Sequence, residues 1–278
     1  MQDKAYDIIF YYPQHFNRNK QGSNSLFDPL IDICKKNNLH YLVIEEPDNI
    51  TNFPRNKKAL KFDIYFYIIL VLRKIIPLLL FRNIEQKEQW IGNAIKKITG
   101  SRFNSKVILT LSNSMGGFWR GYNYHSKIID YQHGIIDKNQ SGFFHNGKAT
   151  LQISENNKEI AVWGKGFYNV FNQDKAYYKN KVYVLGHPQL SKNKKNIKFK
   201  NQVIFSLQFI EELSASIKQE MLDKIHEVLS ELNTLSDQEK PNVVLMKHPR
   251  HNESVDLTPP LNKFKFISII EDNHILSE

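Results

Sequence analysis

Four short clusters combine residue types that can do chemistry. The first is Tyr131-Gln132-His133-Gly134. An imidazole titrates near neutrality, so His133 can donate to a phosphate or take a proton. Gly134 lets the backbone turn and approach a ligand closely. The second is Met246-Lys247-His248-Pro249-Arg250. Its three basic side chains concentrate donors and positive charge where a nucleotide phosphate would sit, and Pro249 fixes the turn that presents them. The third is Ser206-Leu207-Gln208, whose polar groups suit a phosphate or a ribose. The fourth is Gly186-His187-Pro188, which reads mainly as a hinge. Each also has a plain reading: a capped turn, a basic surface loop, a polar strand end.

Weaker candidates accompany these. Residues 112–117 (SNSMGG) lie between a strand and a helix, where an anion can bind a helix N-terminus, but the Gly-Lys-Ser/Thr of a phosphate-binding loop is missing. His15 and Asn17 follow the first strand. Glu45, Asp130 and Asp137 join His133 as candidate bases. The ten histidines show no metal-ligand spacing, so no metal and no cofactor is expected. No GxSxG elbow points to a hydrolase. Cys34, the single cysteine, excludes an internal disulfide framework and falls on an apolar helix face.

The elements that must position these residues alternate. Strands are expected at 7–12, 40–45, 106–111, 127–131, 159–163, 181–185, 202–206, 242–246 and 264–270. Most are continuous apolar runs, as in parallel strands buried on both faces. Helices are expected at 25–37, capped by Asn24 or Ser25, and at 60–82, 84–99, 114–122, 166–171 and 213–232. In the last of these Ile217, Met221, Ile225, Val228, Leu229 and Leu232 make one apolar stripe. Alternation of this kind specifies βαβ units and an α/β fold. A Lys-, Asn- and Ser-rich stretch after Leu185 divides the 278-residue chain. An N-terminal α/β domain is expected at 1–190, a linker at 191–201 and a C-terminal α/β domain at 202–278, the latter reading as truncated.

Hydrophobic residues make up 41% and charged residues 24%, which excludes a disordered or fibrous chain. The formal charge of +10 favours anionic partners without choosing among nucleic acid, nucleotide phosphates and an anionic membrane. No signal-peptide pattern opens the chain, so a cytoplasmic location is expected. Residues 60–82 are strongly apolar but interrupted by Asp63, Arg73, Lys74 and Pro77, too much for a spanning helix. They read either as a half-buried helix pair or as a patch lying on the cytoplasmic leaflet, making the protein membrane-peripheral.

The order of the motifs carries a resemblance. YQHGII at 131–136, an aromatic-glycine stretch at 141–144, AVWGKGFYNVF at 161–171, KVYVLGHPQL at 181–190, QVIFSLQ at 202–208 and VLMKHPRHN at 244–252 follow one another. The series resembles bacterial GT-B-fold glycosyltransferases of capsule and lipopolysaccharide biosynthesis, with their Gln-His-Gly and His-Pro motifs. That group includes transferases of Kdo and sialic acid and, more distantly, CDP-glycerol glycerophosphotransferases. The resemblance implies two Rossmann-like domains facing a cleft. It assigns His248 and Pro249 to a nucleotide-binding loop and turns Gln132, His133 and Gly134 toward the same cleft. The resemblance implies that a Ser/Thr-rich loop and a helix follow the His-Pro strand to complete the donor site, and the chain is expected to be truncated before them.

The reading that results is a metal-independent glycosyltransferase. It would move a sugar from a nucleotide-sugar, CMP-sugar favoured, to a lipid-linked or oligosaccharide acceptor. His133 is the catalytic candidate. Gln132, Gly134, Ser206, Gln208, Lys247, His248, Pro249 and Arg250 are the donor-binding candidates. Alternatives keep the fold but use UDP-sugars or epimerise a nucleotide-sugar; the latter needs carboxylates converging on the sugar, and the sequence shows no convincing set. Further alternatives are a basic nucleic-acid-binding protein, for which no motif is present, and an inactive scaffold.

Overall fold

The computed structural model describes residues 5–17, 22–48, 54–113, 115–188, 201–207, 209, 213–247, 255–257 and 262–270. The chain divides into two compact units, Met1–Lys194 and Lys195–Glu278.

The first unit opens with β1 (Tyr6–Pro13), α1 (Asp28–Lys36), β2 (Tyr41–Glu46), β3 (Leu60–Lys61), α2 (Asp63–Ile75), α3 (Ile84–Thr99), β4 (Ser105–Leu111), α4 (Gly116–Tyr122) and β5 (Lys127–Tyr131). It continues with β6 (Phe144–His145), β7 (Lys148–Ala149), α5 (Leu151–Ser154), β8 (Lys158–Val162), α6 (Lys165–Val170), α7 (Lys175–Tyr178) and β9 (Val182–Val184). Seven strands form one sheet in the order β3-β2-β1-β4-β5-β8-β9, every pair parallel. Strands buried on both faces need apolar side chains at successive positions, and Ile9, Phe10, Tyr11 and Tyr12 are all buried. Ile9 and Tyr11 pack on one face with Ile69, Ile91 and Trp119. Phe10 and Tyr12 pack on the other with Phe27, Ile31 and Cys34.

Local sequence fixes the helix ends. The Asn24 side chain accepts from Leu26 and Phe27 N–H ahead of α1. The Asn83 side chain accepts from Gln86 N–H and starts α3, which Gly100 ends with a φ of 64°. Glycines set how closely α3 and α4 approach. A Cβ on Gly92 would meet the Phe118 carbonyl oxygen at 2.1 Å, and one on Gly121 the Gln89 carbonyl oxygen at 1.8 Å.

The second unit holds β10 (Gln202–Leu207), α8 (Ala215–Asn233), β11 (Asn242–Lys247) and β12 (Ile267–Ile270). The three strands pair in parallel in that order. Its core gathers Leu207, Ile225, Leu229, Val243 and Leu245. The α8 stripe is narrower than its spacing predicts, because Ile217 and Val228 face outward.

Three expectations change. The segment 60–82 is not one helix. It is the short strand β3, the helix α2 and, after Pro77, a single 3-10 turn at Leu78–Leu80. The last strand is shorter than 264–270, since Phe264 leaves the strand to join the core. A β-hairpin at 144–149 was not expected. Its turn is Asn146-Gly147, with φ of 50° and 72°, the conformation an Asn-Gly hairpin turn requires.

Candidate functional site

The order of the first sheet reverses at β1. The chain runs outward through β2 and β3, returns to place β4 on the other side of β1, and proceeds through β5, β8 and β9. In open α/β sheets ligands bind outside the carboxyl ends of the strands at such a switch point. Here that edge carries Gln14, His15, Phe16 and Asn17 after β1, Asp48 after β2, Ser112 and Asn113 after β4, and Gln132 and His133 after β5.

The turn from β4 into α4 is held in an unusual conformation. Ser112, Asn113 and Met115 have φ of 64°, 55° and 51°, the left-handed region that non-glycine residues seldom occupy. Such backbone persists only when its surroundings over-determine it, and the hydrogen bonds do so. Asn113 N–H donates to Asp130 Oδ1 at 2.8 Å, and its side-chain amide donates to the Gly142 carbonyl. Lys158 Nζ donates to the Asn113 carbonyl and to its Oδ1, at 3.2 and 3.0 Å. Gln152 donates to that same carbonyl, and Thr110 Oγ1 donates to Asp130 Oδ1. Asp130 and Lys158 are both fully buried. Burial pushes the Asp130 carboxyl up and the Lys158 ammonium down, and the charge of each opposes the shift of the other. These two residues therefore lock the edge from below.

Above them His133 is half-buried, and among the described residues its ring has no hydrogen-bond partner. It lies edge-on to Phe16, with ring centroids 5.2 Å apart. Phe16 also meets His15 at 4.5 Å. His15 Nδ1 sits 2.6 Å from Asp48 Oδ2. Two imidazoles, one paired with a carboxylate, thus share one aromatic neighbour. Gly134 has no positive φ, and a Cβ there would meet nothing within 4 Å. Its backbone is open to a ligand, but its conformation does not demand glycine.

Gln132 is placed differently from a donor-binding side chain. Its Oε1 accepts from Trp163 N–H at 2.7 Å and its Nε2 donates to the Gly134 carbonyl at 2.8 Å, so both ends of the amide bind the fold's own backbone. It ties the end of β5 to the end of β8. Glu45 is likewise engaged by the fold itself. It is fully buried and receives Asn17 Nδ2, Asn56 N–H and the Arg55 guanidinium. Asp130 is fully buried, its Oδ1 accepting from Asn113 and Thr110 while its Oδ2 has no hydrogen-bond partner among the described residues, and Asp137 accepts from Asn139 N–H in a turn. His187, read as part of a hinge, belongs to the same edge. Its ring lies 4.4 Å from that of Trp163, and the Tyr131 hydroxyl donates to the Gly186 carbonyl. Burial lowers the pKa of His187 from its ordinary value.

In the second unit Ser206 is exposed on β10, in register with Met246, and Lys247 ends β11 in register with Leu207. Both stand at the carboxyl edge of that unit's sheet. Gln208, His248, Pro249 and Arg250 lie outside the described residues.

No family model matches the chain, and no curated protein matches it. Solved structures do. The UDP-GlcNAc 2-epimerase from Neisseria meningitidis, bound to UDP-GlcNAc, gives a TM-score of 0.51 at 12% identity, covering 97% of this chain and 73% of its own. The Methanocaldococcus jannaschii UDP-GlcNAc 2-epimerase, in complex with UDP-GlcNAc and UDP, gives 0.52 at 12%, covering 95% and 73%. The fold is GT-B-like. The resemblance to glycosyltransferases holds at that level, and the capsule and lipopolysaccharide group has no family match behind it.

Within this GT-B-like fold, sequence reasoning missed Asp48, Phe16, Trp163 and Lys158. Trp163 is the last residue of the strand expected at 159–163, which marks a strand-end position. Lys158 carried no signal, since a lysine at a strand start normally reads as exposed.

Proposed function

We propose that this protein is a nucleotide-sugar enzyme, with the carboxyl edge around His133 as the place where proton transfer occurs. The observation that carries this reading is the half-buried His133 ring, unbonded among the described residues and held beside the switch point by Phe16 and the Gln132 tie. The fold likeness to two enzymes whose structures hold UDP-GlcNAc supports it and favours a UDP-sugar as the ligand. Lys247, with Ser206, Gln208, His248, Pro249 and Arg250, would serve the phosphates and ribose. Departure of a nucleotide concentrates negative charge on its phosphate, and preorganised cations stabilise that charge.

The reaction this arrangement suits best is epimerisation of the sugar. One group takes the proton from the sugar carbon as the neighbouring C–O bond to the nucleotide phosphate breaks and the electron pair becomes a C=C bond; a second group returns a proton to the opposite face as the phosphate oxygen re-forms that C–O bond. His133 and the His15–Asp48 pair, both packed on Phe16, provide two such centres. Glycosyl transfer from a CMP- or UDP-sugar to a lipid-linked or oligosaccharide acceptor is the second reading, favoured by the order of motifs from 131 to 252.

The test is to incubate the protein with UDP-GlcNAc and follow the sugar proton signals by NMR. Appearance of the 2-epimer is the expected result, slowed about 100-fold or more by His133→Ala. Transfer from a CMP-sugar to an added oligosaccharide, without epimer, would favour the second reading. No thermal stabilisation by millimolar UDP, CMP, CDP, GDP or their sugars would remove both, because a bound ligand must raise apparent stability.

A further inference from the structure

Helix α2 is apolar on both of its faces. Ile69 is buried, with Tyr65, Phe66, Leu72 and Ile76 packed around it against the core. A second stripe, Ile64, Ile68, Val71 and Ile75, follows the i, i+4, i+7, i+11 spacing of the opposite side and is exposed, Ile64 at 74% and Ile75 at 65%. After Pro77 the chain adds Leu78, Leu79 and Leu80, of which Leu79 is 85% exposed. Ile84 and Trp90 on α3 are half-exposed as well, and Trp90 lies beside Phe81 with ring centroids 6.2 Å apart. Isolated exposed apolar residues are ordinary, but a run of this length marks an interaction surface.

We infer that this surface docks on an anionic lipid membrane. Charge selects the occupant. Residues 55–84 contain seven basic side chains and one acidic, Asp63, which is bonded to Arg55. Lys57, Lys58 and Lys61 precede the apolar stripe. Lys74 and Arg82 follow it, and all five are exposed. Arg82 also reaches Glu155. Apolar side chains bracketed by cations are what a helix lying in the headgroup region presents, with an indole at the same level. Thirteen residues make a helix about 20 Å long, short of the roughly 30 Å hydrocarbon core. Among the described residues no helix is long and apolar enough to cross a membrane. The helix therefore lies along the surface. This inference does not depend on which reaction the protein catalyses.

The experiment is co-sedimentation of the full chain with vesicles of phosphatidylcholine alone or with about one-third phosphatidylglycerol. The protein is expected to pellet with the anionic vesicles only, and to be released as salt rises. The paired substitutions Leu79→Asp and Leu80→Asp, at exposed positions, should lower the bound fraction about tenfold while leaving the thermal midpoint in place. Lys74→Glu should weaken binding to anionic vesicles. Failure to bind anionic vesicles at low salt overturns the inference, as does binding that the paired Asp variant leaves unchanged. A dimer in sedimentation equilibrium, dissolved by the Asp variant while vesicles are ignored, would assign the surface to a second copy of the chain instead.

Discussion

Lys158 stands at the start of β8, wholly buried against the left-handed residues Ser112, Asn113 and Met115. Its ammonium is the donor that holds the Asn113 carbonyl and side chain, and Asp130 is the charge that faces it. Gly116 opens the space it occupies, since a Cβ there would fall 2.1 Å from Lys158 Cε. Lys158→Met removes the cation but leaves Asp130 in a medium that penalises its charge. The expected cost is about 3–5 kcal/mol in urea denaturation. The double variant Asp130→Asn with Lys158→Met takes both charges away and should recover roughly half of that loss. Equal losses in single and double variants would show that the pair is not coupled. His133 offers a contrast at the same scale. It touches Phe16 and no hydrogen-bond partner among the described residues, so replacing it should spare the fold and report on chemistry alone.

At the scale of elements, much of the order is readable from local chemistry. Continuous apolar runs at 127–131 and 242–246 announce doubly buried strands, because alternation is unnecessary when neither face meets water. Helix α3 is bounded by the Asn83 cap and Gly100, both visible as residue types. The Asn146-Gly147 turn was equally visible in principle and passed unrecognised between two-residue strands too short to show a pattern. The edge around His133 is less readable, for a physical reason. Asn113 meets Gly142 and Lys158, and His15 meets Asp48, across 29, 45 and 33 positions of sequence. No local pattern encodes such pairs. The role of Gln132 shows the same limit, because its partner at Trp163 exists only once β5 and β8 lie side by side. The glycines of α3 and α4 read as helix-weakening residues, yet they set the approach of the two helices. Gly121→Ala drives a methyl into the Gln89 carbonyl, and only backbone movement relieves it. A loss of about 3 kcal/mol or more is expected by chemical denaturation. Gly134→Ala, in open space, should change stability by less than about 0.5 kcal/mol. Equal effects of the two alanines would mean that the helices are not packed on their glycines.

At the scale of the whole molecule, the two units differ in how much core each can build. The first buries both faces of a seven-stranded sheet, with separate clusters around Trp119 and around Phe27 and a third around Phe171. Among the described residues the second has three strands and one cluster around Leu229 and Leu245. On β10, Ile204 and Ser206 are exposed rather than covered. Apolar burial is the main term opposing chain entropy, and it shrinks with domain size. The second unit should therefore open at a lower free energy than the first. Hydrogen exchange read by mass spectrometry at rising urea tests this directly. Peptides from 202–207 and 242–247 should lose protection well before those from 6–13, 105–111 and 127–131. If Ser206 and Lys247 bind the nucleotide as proposed, adding a tight-binding nucleotide should move the second-unit peptides toward higher urea, because only the folded unit presents the two at one edge. Loss of protection at one common urea concentration in both sets, with and without nucleotide, would show that the small core is not the weaker one.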